Sequence, residues 1–272
     1  MERRRPCGRR WRANGAVEHL TEREDRVLKI DQVSDSVYVV AGTNVNWALI
    51  SDGSGVTVVD AGYPADTGAV LGSIREIGHE IADVAAILLT HAHLDHIGAI
   101  ATLVEQTGAP VYTGAEEVRH AKREYLQQIT PAEMVRQLGN RAGRRWVRQT
   151  ALAVAGHLRT RVPSATATQD AVLAALPGGF VAVPTPGHTS GHTAYLMPSE
   201  SVLFSGDALV TAHPLSRHAG AQLLPPFFNH DEDETLGSAQ LLATQPARTI
   251  VPGHGPAASH DPDQPLRIFH QH

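Results

Sequence analysis

Six consecutive residues constrain this chain more than any others: His91-Ala92-His93-Leu94-Asp95-His96. They follow Val84–Thr90, which is apolar at almost every position, and precede Ile97–Glu105, whose apolar residues have helical spacing. A near-continuous apolar run reads as a strand buried on both faces. Four polar residues in six, between two such elements, serve no packing purpose. They read instead as chemistry mounted on the end of a rigid strand. In extended backbone, residues two apart point the same way, so His91 and His93 can grip one metal ion together. Asp95 and His96 then fall at the turn into the helix and face a neighbouring ion, and the helix N-terminus favours the charge of Asp95.

Three more potential ligands occupy equivalent places. His188 follows the strand Phe180–Val183, within Thr185-Pro186-Gly187-His188-Thr189-Ser190-Gly191-His192. Asp207 follows Val202–Phe204, and His254 follows Arg248–Val251. Glycines at 187, 206 and 253 let backbone crowd close to bound ions. Seven ligands are too many for one zinc, which takes about four. Two ions with three private ligands each and one shared carboxylate account for all seven, and Asp207 is the natural bridge. The chain has 16 histidines. Taken singly, His19, His79, His120, His157, His260, His270 and His272 read as surface or hydrogen-bonded core residues.

The remaining pattern places this cluster in a fold. Val37–Ala41, Asn46–Ile50 and Gly55–Asp60 are β-branched runs punctuated by Asn44, Asp52 and Gly53, and read as successive antiparallel strands. Helices are expected over Ala65–Ile77, Ile97–Glu105, much of 115–160, and Asp233–Thr244. Thr130-Pro131-Ala132-Glu133 carries a helix-start signature. Strands return at Phe180–Val183, Thr193–Leu196, Val202–Phe204 and Arg248–Val251. This order favours two mixed sheets packed together with helices outside. The expected organisation is a basic flexible tail over 1–25, one domain over 26–260 with a helical insertion at 115–162, and a C-terminal tail over 261–272.

The bulk properties exclude more than they assert. The formal net charge of −5 gives no global reason to bind nucleic acid or an anionic membrane. No apolar run is long enough to span a bilayer. The six arginines between Arg3 and Arg12 are not followed by an apolar stretch, so they read as a flexible tail or a mis-annotated start rather than as a secretory signal. Cys7 is the only cysteine, so no internal disulfide forms and a cytoplasmic setting is expected. The segment 115–162 carries ten basic residues against four acidic ones. Either an anionic acyl substrate or a solvated helix face accounts for that excess. The loop from His213 to His230, with Pro225-Pro226-Phe227-Phe228, reads as a pocket wall or as core.

His-x-His-x-Asp-His, Pro-Gly-His-Thr, Ser-Gly-Asp and Pro-Gly-His-Gly, in this order between Ile30 and Pro256, resemble the metallo-β-lactamase fold superfamily. The resemblance implies a four-layer αβ/βα sandwich with metals at one edge between the sheets. It implies His91, His93 and His188 on one metal, Asp95, His96 and His254 on the other, and Asp207 bridging. Asp60 looks like the family's first motif aspartate, a support behind a ligand rather than a ligand. Antibiotic-hydrolysing members generally lack the bridging aspartate, which argues against that activity here. The segment 185–192 looks like glyoxalase II. Val210 stands where quorum-quenching lactonases carry tyrosine.

The expected enzyme is a binuclear metal-dependent hydrolase, with two zinc ions and with iron or manganese as alternatives. A hydroxide bridging the ions would attack an ester, thioester or lactone carbonyl in a small-molecule substrate. Asp207 and Asp95 are the candidate catalytic carboxylates, Asp95 orienting the nucleophile or passing a proton to the leaving group. No nucleic-acid or membrane partner is expected, and a homodimer is compatible with this reading. The rival activities are an iron-dependent sulfur dioxygenase and a phosphodiesterase.

Overall fold

A computed structural model describes residues 28–270; the expected basic tail over 1–25, including Cys7, lies outside them. The first half runs β1 (Lys29–Gln32), β2 (Val37–Ala41), β3 (Asn46–Ser51), β4 (Val56–Val59), α1 (Thr67–Glu76), β5 (Val84–Leu88), α2 (Ile100–Thr107) and β6 (Val111–Thr113). Three helices follow, α3 (Glu117–Ala121), α4 (Pro131–Arg136) and α5 (Arg141–Ala153), in the expected insertion. The second half runs β7 (Ala165–Ala167), α6 (Asp170–Ala175), β8 (Val181–Pro184), β9 (Thr193–Met197), β10 (Val202–Gly206), α7 (Glu232–Leu242), β11 (Thr249–Pro252) and β12 (Ala258–Ser259).

Two sheets result. One has the order β1-β2-β3-β4-β5-β6-β7, antiparallel as far as β4 and parallel beyond it. The other has the order β12-β11-β10-β9-β8, with β10 and β11 parallel and the remaining pairs antiparallel.

Side-chain alternation turns these sheets into layers. On β3, Trp47 and Leu49 face a core shared with Val70 and Ile74 of α1 and Leu103 of α2. Ala48 and Ile50 face the other way, into a core between the sheets with Tyr195, Phe204 and Val251. A third core puts Leu203 and Ile250 against Ala239 and Leu242 of α7. Helix, sheet, sheet, helix is the four-layer sandwich expected from the sequence.

Strand direction places the site. β4 and β5 run parallel in one sheet, as do β10 and β11 in the other. β8 shares the direction of β10, since both are antiparallel to β9. The loops leaving these strands therefore open on one edge. The sheets are stitched there: the Thr193 N–H donates to Thr90 O at 3.0 Å and the Asn46 N–H to Gly253 O at 2.8 Å. The Asn46 amide also donates to Pro252 O and Gly255 O.

Some elements differ from the sequence reading. α2 begins at Ile100 with Ala99 as its N-cap, so Asp95 does not sit at a helix N-terminus. Backbone pairing is the cause: the Ala61 N–H donates to His96 O, the Gly98 N–H to Gly62 O and the Ala99 N–H to Ala61 O. Residues 96–99 are thereby tied to the loop after β4 before the helix can start. The helix start at Thr130 is present as read, since Thr130 Oγ1 accepts from the Glu133 N–H while the Glu133 carboxylate accepts from the Thr130 N–H. The segment expected as a C-terminal tail is tied to the body, with the Leu223 N–H donating to Phe269 O and the Phe269 N–H to Ala221 O.

Candidate metal centre

Each ligand candidate leaves one of the aligned strands: His91 and His93 after β5, His188 after β8, Asp207 after β10 and His254 after β11. Their polar atoms converge. His93 Nδ1 lies 3.1 Å from His91 Nε2 and 3.0 Å from His188 Nε2. Asp207 Oδ2 lies 3.1 Å from His254 Nε2, 3.4 Å from His188 Nε2 and 3.7 Å from His91 Nε2. Asp207 Oδ1 is 3.5 Å from His96 Nε2. Asp95 Oδ2 completes a further group, 3.6 Å from His254 Nε2 and 3.8 Å from His96 Nε2. All seven residues named from the sequence come together, in three overlapping groups: His91, His93 and His188; His91, His96 and Asp207; and Asp95, His96 and His254.

The outward nitrogens explain how the rings are held. His91 Nδ1 is 3.0 Å from Thr90 Oγ1, His93 Nε2 2.6 Å from Gln127 O, and His96 Nδ1 2.8 Å from Asp60 Oδ2. His188 Nδ1 is 2.9 Å from Asn229 Oδ1, and His254 Nδ1 2.5 Å from Asn44 O. Each outward nitrogen meets an oxygen of the protein, so the other nitrogen of all five rings points into the cluster. His96 Nε2 and Asp207 Oδ1 are buried with no hydrogen-bond partner in the protein. Buried orphan atoms of this kind are rare without a role, and nitrogen and carboxylate donors in this number suit a divalent ion.

The electrostatics divide these rings. Burial and neighbouring imidazoles push His91 and His93 well below the usual histidine range, and burial lowers His188 as well. These rings are neutral and available as donors. Burial opposes charge on His96 and His254 too, but there Asp207 and Asp95 win, with Asp60 adding to the effect on His96, and both rings are raised. Burial likewise opposes ionisation of Asp207, yet His254 and His96 hold its carboxyl well below the usual range.

Asp60 sits behind His96. It takes the Thr90 N–H at 2.9 Å, the Thr90 hydroxyl at 2.8 Å and the His96 ring, while its own backbone is held at φ +58°. Asp60→Ala is expected to weaken metal binding about 10–100-fold. Competition against a chromophoric chelator measures this, and unchanged affinity would remove Asp60 from the support of His96.

Gly253 shows why one loop must approach without a side chain: a Cβ there would lie 2.1 Å from Asp207 Oδ1 and 2.9 Å from His96 Cε1. Gly187 has a different cause than expected. A Cβ there would meet the Thr235 backbone nitrogen at 2.2 Å, so its neighbour is α7 rather than the centre.

Several residues around the site were not singled out from the sequence. Glu117 is fully buried and takes the Ala92 N–H, the His120 ring and the Thr189 hydroxyl, each at 2.7 Å. It thereby joins the loop of His91 and His93 to the loop of His188. In sequence, Glu116-Glu117 looks like an ordinary exposed helix start. His192 Nε2 accepts the Asp207 N–H at 3.1 Å, and burial with His188 lowers His192 to about 3. Burial and His254 lower His213 to about 3, and this ring packs edge-on against Trp146 and Phe228. Of the ten basic residues in the insertion, none lines the cavity over the cluster. Arg123 reaches the ligand loop only through the Ala92 carbonyl, at 2.8 Å.

The comparisons with known proteins agree with this geometry. The pattern of the metallo-beta-lactamase superfamily matches residues 40–254. The chain is 27% identical over 235 residues to the uncharacterized protein YobT of Bacillus subtilis, covering 85% of this chain and 91% of that protein. It is 25% identical over 232 residues to a hydroxyacylglutathione hydrolase of Cereibacter sphaeroides, covering 82% of this chain and 71% of the relative. Among solved structures, a subclass B3 metallo-beta-lactamase of Bradyrhizobium japonicum superposes with a TM-score of 0.58 at 22% identity, over 83% of this chain and 77% of the other. At that identity the superposition speaks for the fold alone. With the sequence pattern covering most of its length and the sandwich shared, this chain belongs to the metallo-beta-lactamase superfamily.

Proposed function

We propose that this superfamily hydrolase holds two divalent metal ions, zinc in the first instance, and cleaves an ester, thioester or lactone. The observation that carries the reading is the orientation of the five rings, each with one nitrogen in the cluster and the other against an oxygen acceptor. His91, His93 and His188 would hold one ion, Asp95, His96 and His254 the other, and Asp207 would span both.

Bound there, the ions would lower the pKa of water to about 7 and polarise a substrate carbonyl. The chain's own residues do the rest. Asp207 has both oxygens within the cluster, so it fixes the spacing of the two halves. Asp95 is partly exposed, with its carboxylate beside His254 and His96. It is the group placed to orient a water and to pass its proton to the leaving oxygen or sulfur as the acyl bond breaks. The likeness to hydroxyacylglutathione hydrolases supports acyl transfer to water as the reaction class.

Metal quantification of the purified protein, with a panel of esters, thioesters, lactones and phosphodiesters, tests this. Two zinc ions per chain are expected, with acyl cleavage lost on chelation and restored by zinc. One iron per chain with oxygen uptake on persulfides, or cleavage confined to phosphodiesters, would overturn it.

A further inference from the structure

A cavity of ≈ 150 Å³ lies over the cluster, with His93, Asp95, His188, Asp207 and His254 at its base. Its walls are apolar: Leu94, Ile129, Met134, Trp146, Leu224 and Phe228. They come from three separate parts of the chain. Trp146 reaches it because Gly143, Trp146, Thr150 and Ala153 form the buried face of α5, at helical spacing. Phe228 comes from the loop after Asp207 and packs edge-on against Trp146, ring centroids 5.6 Å apart. No lysine or arginine lines the space. The arginines of α5, at 141, 144, 145 and 148, are all exposed.

Two hydroxyls, the Gln128 amide and the His213 ring interrupt the apolar wall. Tyr63 is buried, and its position is fixed by its own N–H donating to Asp66 Oδ2 at 3.1 Å. Its phenol neighbours Thr150 and stands in the field of Asp95; burial and that carboxylate keep the proton on the oxygen. The Thr150 hydroxyl is buried with no hydrogen-bond partner among the described residues. An apolar cavity with a few convergent neutral donors suits an uncharged ligand. Away from the base, a carboxylate or ammonium packed against these walls would lose its hydration with no opposite charge from them.

Resting on the hydrolase reading, we propose that the substrate is an uncharged ester or lactone with a compact apolar acyl group. That group packs between Trp146 and Phe228, and Tyr63 donates a hydrogen bond to a substrate oxygen. The cavity of ≈ 150 Å³ between these walls suits a compact acyl group. The reading sets this chain apart from enzymes that take charged thioesters.

The test uses the metal-loaded protein. kcat/KM is expected to be at least about a hundredfold higher for p-nitrophenyl butyrate than for a glutathione thioester, the worth of about two good contacts. Trp146→Ala should move the preference to longer acyl chains. Tyr63→Phe should lower kcat/KM by up to about tenfold, the worth of one hydrogen bond. A binding arm separates pocket from chemistry: 2-pentanone, which is not cleaved, should quench tryptophan fluorescence in the parent and not in Trp146→Phe. Preference for the glutathione thioester, or quenching by glutathione and not by the ketone, would overturn the proposal with the hydrolase reading intact. Ketone binding without cleavage of any acyl compound would overturn the hydrolase reading and support the apolar pocket.

Discussion

Asp207→Ala is expected to reduce acyl hydrolysis by well over a hundredfold, more than the ~10–100-fold typical of residues one step behind a metal ligand. The reason is geometric. Asp207 Oδ2 faces His254 and His188 while Oδ1 faces His96, so one carboxylate lies between both groups of rings. Its loss would leave His96 and His254 without their strongest neutralising partner and, on the proposed two-metal reading, would remove the ligand shared by both ions. Metal content should fall along with activity, read by plasma mass spectrometry on desalted protein. Asp207→Asn should behave similarly, because an amide offers one oxygen and cannot bridge. The fold should persist, since the side chain belongs to no hydrophobic cluster. A well-folded Asp207→Ala protein with full activity and two bound ions would sink the bridging role.

Trp47→Ala should give the largest loss of stability, about 3–5 kcal/mol. The indole is 1% exposed and lies in the core between the first sheet and α1. Its N–H donates to Ser73 Oγ at 3.0 Å, joining β3 to α1. Backbone packs tightly around the ring: a Cβ on Gly42 would stand 2.4 Å from it. Such a cavity cannot collapse easily, which places the loss in the upper part of the usual range. Against a total of about 5–15 kcal/mol for a domain, the variant would be marginal at best. The urea midpoint measures this, with the slope checked for a change in the unfolded state. A midpoint within experimental scatter of the parent would refute the packing argument.

The parts of this molecule legible from sequence share a cause, as do the parts that were not. β2, β3 and β5 stand out because burial on one or both faces demands apolar, β-branched residues. β1 has Lys29, Asp31 and Gln32 exposed, so it carries no such pattern. β6 and β7 span three residues each and β12 two, too short for periodicity to appear. The start of α2 was misplaced because the pairing of residues 96–99 with 61–62 is a long-range fact. At the site, the residues with short local spacing were visible. Glu117, Tyr63 and Trp146 were not, because their meaning depends on which loop they meet.

Asn46, which ties β3 to the carbonyls of Pro252 and Gly255, also sets an order of events during synthesis. The first sheet is complete in sequence by residue 167, and His91, His93, Asp95 and His96 are present long before that point. Asp207 and His254 emerge only later, and the loop after β11 is what Asn46 is built to hold. A nascent chain on the ribosome therefore owns four of the seven proposed ligands and still lacks His188, Asp207 and His254. Until the last strand arrives, that partial site would bind metal weakly and without the intended partners. On the proposed two-metal reading, tight metal binding would require the completed fold, because metal affinity and native structure are thermodynamically linked.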